Sequence, residues 1–166
     1  CYIARRLMWE ENAQLLILGT GEAQYENFFN ELCARNPGRV GVYIGFNAKL
    51  AQEIYAGADM FLMPSRSEPC GLAQMVSCRY GTIPIIRETG GLKDSIRDSG
   101  DGYGNGFTFA NYNAHELYEA CWRAKEGYWQ KDGWPVLVKR AMECDFSWSN
   151  SAKSYEGLYN EVVNLW

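Results

Sequence analysis

The sequence predicts an α/β domain built on a parallel sheet with helices on both faces. Three observations carry that prediction. Short apolar runs stop at glycine or proline, longer amphipathic segments separate them, and the two kinds alternate along the chain. The apolar runs are also nearly continuous rather than alternating, as expected of strands buried on both faces.

The elements follow in order. Cys1-Tyr2-Ile3-Ala4-Arg5-Arg6 reads as the middle of an amphipathic helix. Gln14–Leu18 is a first strand, ended by Gly19-Thr20-Gly21, and a helix follows over Ala23–Arg35 before Asn36-Pro37-Gly38. Val40–Ile44 is a strand and Lys49–Ala56 a short helix. Asp59–Met63 is a strand halted by Pro64, then Leu72–Tyr80 is helical with Gly81 as its stop. Thr82–Ile86 is a strand, Leu92–Arg97 a short helix, and Gly106–Phe109 a last short strand. Helices over Ala114–Glu126, Trp134–Cys144 and Ser149–Asn164 close the chain. Asn113 with Glu116 three residues on marks one helix start sharply. The glycine-rich stretch Ser99–Gly106 reads as a mobile loop.

Composition narrows the function. The 166 residues suit a single domain spanning 1–166, and 47% hydrophobic residues suit a packed core. A net charge of −4 argues against nucleic acid and against a polybasic membrane patch. No apolar run approaches the roughly 20 residues that cross a bilayer, and no secretory signal pattern opens the chain. The six cysteines are scattered without C-x-x-C spacing, which points to free thiols in a reducing, cytoplasmic setting and away from zinc. His115 is the only histidine and lies at a helix cap, so a Ser/His/Asp triad has no base; the acidic residues form no metal-ligand pattern.

Ligands of open α/β sheets sit beyond the carboxyl ends of the strands. Glu68-Pro69-Cys70-Gly71-Leu72 lies between a strand and a helix start. The first amides of that helix lack internal partners and its end carries partial positive charge, which suits phosphate. Gly71 permits close approach, and Glu68 can accept hydrogen bonds from sugar hydroxyls; a helix-start carboxylate without a ligand fits equally well. Thr89-Gly90-Gly91-Leu92 is a second donor-rich turn or an ordinary tight connection. Gly45-Phe46 ends a strand, where an aromatic face can meet a nucleobase, although packing into the core is the commoner use. Gly19-Thr20-Gly21 is half of a dinucleotide fingerprint and reads as a turn, since Glu22 repels phosphate. Trp122, Tyr128, Trp129 and Trp134 read as packing residues before sugar platforms.

Several motifs, in order, give a more specific reading. Met63-Pro64-Ser65-Arg66-Ser67-Glu68-Pro69-Cys70-Gly71-Leu72-Ala73-Gln74 resembles the P-S-R-x-E-P-C-G-L-x-Q signature of bacterial glycogen synthases and plant starch synthases. Arg79-Tyr80-Gly81-Thr82-Ile83-Pro84, Thr89-Gly90-Gly91-Leu92-Lys93-Asp94, Ala56-Gly57-Ala58-Asp59, Ile44-Gly45-Phe46 and Asp145-Phe146-Ser147-Trp148 are similar to further motifs of that family. The resemblance implies the Rossmann-like C-terminal half of a two-domain GT-B glycosyltransferase. It implies transfer of glucose from ADP-glucose to the non-reducing end of an α-1,4-glucan, with retention, without metal or cofactor, ADP-glucose being a substrate. By motif, Glu68 is the catalytic-site carboxylate contacting donor glucose; Cys70, Gly71 and Leu72 present backbone to sugar and distal phosphate. Gly45 and Phe46 hold the adenine, and Thr89 and Gly90 line the phosphate and ribose region.

Wider retaining GT-B relatives carry a second glutamate eight residues after the first; Val76 stands there, which fits the synthase branch over sucrose- or trehalose-phosphate-type enzymes. The family's diphosphate-neutralising Arg and Lys belong to a first strand and loop that would precede Cys1, as would the N-terminal domain with its acceptor groove. The expectation is therefore a fragment that lacks its first strand, binds nucleotide weakly and does not turn over alone. Its open sheet edge favours self-association. A non-catalytic nucleotide- or glucan-binding module, or a UDP-glucose transferase on the same scaffold, are the alternatives.

Overall fold

The computed structural model describes residues 2–10 and 12–165. It contains α1 (Tyr2–Trp9), β1 (Leu15–Gly19), α2 (Ala23–Arg35), β2 (Val40–Ile44), α3 (Ala48–Gly57), β3 (Met60–Met63) and α4 (Ala73–Tyr80). There follow β4 (Ile83–Arg87), α5 (Gly91–Ser95), a 3-10 turn (Ser99–Asp101), β5 (Phe107–Phe109), α6 (Ala114–Tyr128), α7 (Gly133–Met142) and α8 (Trp148–Val163). Every strand and helix expected from the sequence is present, with ends shifted by a residue or two as capping decides. The opening helix is also there, with Cys1 outside the described residues.

All strand pairs are parallel. They form two ladders rather than one sheet: β1 beside β2, with Leu15 opposite Val40, and β3-β4-β5, with Met60 opposite Ile83 and Ile85 opposite Phe107. Among the described residues β1 and β3 each have a strand on one side only. In the doubly wound order the first strand of such a domain occupies the centre of the sheet. The described strands break between β1 and β3, at the point where that order reverses.

Each ladder has its own core. The larger gathers Ile83, Ile85, Ile86, Leu92, Phe107, Phe109, Ala120, Ala124 and Leu137 around β4 and β5, closed by α4, α6 and α7. The smaller joins Ala4, Met8, Leu32 and Val40. Helix α1 touches both, with Ala4 and Met8 in the smaller core and Leu7 against the larger. Ile83–Ile86 are all buried, whereas no residue of β1 is, and Leu16 is 56% exposed. No residue of α8 is buried.

In the Ser99–Gly106 loop, residues 100–103 are exposed, but the second half is packed rather than free. Gly104, Asn105 and Gly106 are buried. Asn105 donates to the Ser95 carbonyl and accepts from the Arg97 amide, Arg140 donates to the Gly104 carbonyl at 2.6 Å, and Asp98 bridges to Gly106. Glycine serves close packing here, since a Cβ at Gly104 would lie 2.1 Å from the Asp98 carbonyl oxygen.

Candidate functional site

Strand β3 ends at Met63 and strand β4 at Arg87, and the loops after them interlock. The Gly91 amide donates to the Pro69 carbonyl at 3.3 Å. A Cβ on Gly90 would fall 2.0 Å from the Glu68 carbonyl oxygen, and one on Gly91 would fall 2.2 Å from that of Cys70. Gly90 also adopts φ +46°, a left-handed conformation that disfavours any side chain. Two glycines thus let the Thr89–Gly91 turn lie directly on the Glu68–Cys70 backbone. The sequence offered each segment as a separate donor-rich turn; the structure makes them one cradle.

Gln74 fastens the cradle. It is fully buried, and its Nε2 donates to the Gly71 carbonyl at 2.9 Å, to Ser95 Oγ at 3.0 Å and to the Cys70 carbonyl at 3.3 Å. Ser95 Oγ in turn donates to the Gly91 carbonyl at 2.7 Å. One side chain therefore joins the loop after β3 to the loop after β4. Gln74 Oε1 is buried without a hydrogen-bond partner, which is costly unless geometry demands it. Gln74 had no role beyond its place in the motif; the readable signal was a polar residue four before Cys78 on the buried face of α4.

Helix α4 begins at Ala73 with Leu72 as its N-cap, one residue later than expected, and no side chain caps its first amides. The Leu72 side chain is 67% exposed. Those amides keep their hydrogen-bonding capacity for a ligand. Glu68 is half-buried at the cradle's lip, and Ser65 Oγ donates to its Oε2 at a long 3.5 Å. Arg87 crosses beneath, its Nη1 donating to the Arg66 carbonyl at 2.8 Å and its guanidinium 5.6 Å from the Tyr112 ring. Arg87 Nε is buried with no partner. A cation thus stands at the end of β4, one residue beyond the strand the sequence suggested. Glu88 has a structural use, accepting from Thr108 Oγ1 at 2.7 Å with Lys93 3.8 Å away.

Gly45 and Phe46 belong to the other ladder. The Gly45 amide donates to the Gly19 carbonyl at 3.0 Å, joining the carboxyl ends of β1 and β2. Phe46 is 92% exposed, which rejects the core-filling reading. Among the described residues no hydrogen bond or ring contact joins Gly45-Phe46 to the Glu68–Leu72 and Thr89–Gly91 cradle, so the two share only the carboxyl side of parallel strands. Gly19 ends β1 and Thr20-Gly21 continue as loop, with the Gly21 amide held by Glu26 Oε1 at 2.8 Å.

Burial alone would raise the Asp98 carboxyl, but the Thr108 and Gly100 amides and the Arg123 guanidinium together hold it below the usual carboxylate range. Burial pushes the Cys78 thiol up to about 12, so it is inert. No group of three or more His, Cys, Asp or Glu suited to a metal occurs among the described residues. No helix among them is long and apolar enough to cross a membrane.

Residues 4–128 match the family model of glycosyl transferases group 1. The chain belongs to that family. It is 51% identical over 158 residues to a glycogen synthase of Geobacillus thermodenitrificans, covering 94% of this chain and 33% of that one. A glycogen synthase of Bacillus anthracis is 50% identical over 160 residues, covering 95% and 34%. The glycosyltransferase chain thus spans about a third of the length of these curated relatives. Its structure superposes on the catalytic domain of starch synthase IV from Arabidopsis thaliana, solved with ADP and acarbose, with TM-score 0.83 and 34% identity over 98% of this chain and 36% of that one. A sucrose-phosphate synthase from Thermosynechococcus elongatus, at TM-score 0.59 and 21% identity over 92% of this chain and 39% of that one, shares the fold.

Proposed function

We propose that this chain is the donor-binding domain of a retaining glucosyltransferase that moves glucose from ADP-glucose to the non-reducing end of an α-1,4-glucan. The observation that carries the reading is the Gln74-fastened cradle. Its loop carries Glu68 just ahead of the uncapped start of α4, which supports a carboxylate for sugar hydroxyls followed by amides for phosphate. Relatives named glycogen synthase at about half identity support the glucan.

In transfers with a phosphate leaving group, catalysis is mostly positioning and neutralisation of developing charge. The α4 amides, with Cys70, Gly71 and Leu72, face the distal phosphate. Glu68 orients the glucose through its hydroxyls, and Thr89 and Gly90 close the phosphate and ribose side. Phe46 offers an open ring for the adenine. The reaction needs neither metal nor cofactor, and its setting is the cytoplasm. Acceptor binding belongs to a second domain and the diphosphate-neutralising Arg and Lys to a further strand and loop of the donor domain, so residues 1–166 bind nucleotide weakly and do not turn over by themselves. Self-association through the bare edges of β1 and β3 belongs to this reading too.

Titration of the chain with ADP and with UDP tests it. ADP is expected to bind in preference, and Phe46→Ala to remove that preference; a UDP preference moves the reading to UDP-glucose, and binding of neither nucleotide overturns the site. In a chain extended to the length of its relatives, Glu68→Ala is expected to abolish synthesis with the fold intact, and an active variant would remove Glu68 from its role.

A further inference from the structure

The four aromatic residues expected to pack do not behave alike. Trp134 packs against the larger core, and Tyr128 meets it edge-on at 5.2 Å. Trp122 and Trp129 are 48% and 69% exposed. Indoles are usually well covered, so two bare ones on one helix call for an explanation. Trp122 lies in α6 and Trp129 caps its C-terminal end in helical conformation, seven residues on, which is about two turns along the same face and roughly 10.5 Å along the axis. Lys125 and Glu126 lie between them at helical spacing, their charges 3.7 Å apart.

We propose that this face of α6 is a carbohydrate platform, separate from the donor cradle, that takes a stretch of α-glucan across Trp122 and Trp129. The ligand class rests on the proposed glucan acceptor. The apolar faces of pyranose rings stack on indoles, while their hydroxyls need donors and acceptors beside the stack. Here two indoles flank an ammonium and a carboxylate, which supply both. The platform is preorganised. The opposite face of α6 is fixed in the core through Ala120, Cys121 and Ala124. Trp129 is held edge-on by Tyr128 at 5.3 Å, and Tyr128 by Trp134, so the exposed ring has a set orientation. A protein partner fits less well. Protein interface cores exclude charge, whereas Glu119, Glu126, Gln130, Lys131 and Asp132 around the indoles are all exposed.

Electrophoresis of the chain through gels containing glycogen, or dextran as a control, tests this. Glycogen is expected to retard the chain and dextran not to. Trp122→Ala and Trp129→Ala are each expected to weaken retardation about fivefold to tenfold, the scale of one lost aromatic stack. The double variant should migrate freely. Trp148→Ala, which removes an 88% exposed indole on α8, should change nothing. No retardation by glycogen, equal retardation by dextran, or undiminished retardation of the double variant overturns the proposal. ADP titration of the same variants keeps the two readings apart. Tryptophan-dependent glycogen binding without ADP binding upholds the platform and defeats the donor site; ADP binding with no effect of either tryptophan does the reverse.

Discussion

The two ladders of this domain are built from similar apolar strands, yet only one of them is sealed. Strand β4 lies between β3 and β5 under α4, α6 and α7, and Ile83–Ile86 have no more than 2% exposure. Strand β1 has β2 on one side only, and every one of its residues keeps some exposure. Hydrophobic strands become a core only when neighbours close on both edges and both faces; composition alone does not accomplish it. The Glu68–Gly91 cradle grows from the sealed ladder, and the exposed Phe46 from the open one. A rigid half thus holds the charged part of the proposed donor, and an open half presents the flat ring.

The largest effect that tests this contrast is Ile86→Ala in β4. It should destabilise by about 2–5 kcal/mol in denaturant titration, since the cavity cannot collapse among buried neighbours. Gly90→Ala should cost about 1–3 kcal/mol of backbone strain and eliminate ADP binding, because the added Cβ meets the Glu68 carbonyl. Gly21→Ala, beside the open ladder with nothing within 4 Å of its Cβ, should leave stability unchanged.

Asp98→Asn should come next, at about 1–3 kcal/mol at neutral pH, through loss of the charged partner of Arg123 and of the Gly100 and Thr108 amides. Its pH dependence has a fixed sign. The folded carboxyl titrates below its unfolded value, so its contribution is full above the unfolded pKa and fades as pH falls through the folded one. Unfolding of the two proteins compared across the acid range should therefore show the gap closing below about pH 4. A constant gap would mean that the charge of Asp98 is immaterial. Leu16→Thr in β1 is expected within about 0.5 kcal/mol, because the side chain is already more than half exposed. If it proves as costly as Ile86→Ala, the contrast between the ladders fails.

Much of this was legible in the residues. The alternation of apolar runs and amphipathic segments gave the helices and strands, because local periodicity is set by which face each residue presents. The Asn113 cap was legible too: Asn113 Oδ1 accepts from the Glu116 amide at 2.9 Å, and Glu116 reaches back to the Asn111 amide at 2.7 Å. Other features depend on residues far apart in the chain. Gln74 meets Ser95 across 21 positions, Arg140 reaches Gly104 across 36, and no local pattern encodes either. The same holds for Gly104 and Gly106 in the loop at 99–106, where glycines that suggest freedom instead lie against neighbouring backbone.

The sequence by itself determined the order of the elements, the uncapped start of α4 and the presence of a carboxylate, two glycine turns and an aromatic at strand ends. These follow from local conformational preference and chemical type. Tertiary structure decided which turns share a cradle, where the parallel ladder breaks, and which indoles on α6 face solvent. Those are matters of which surfaces meet, and a surface is buried or bare only once its distant partner is in place.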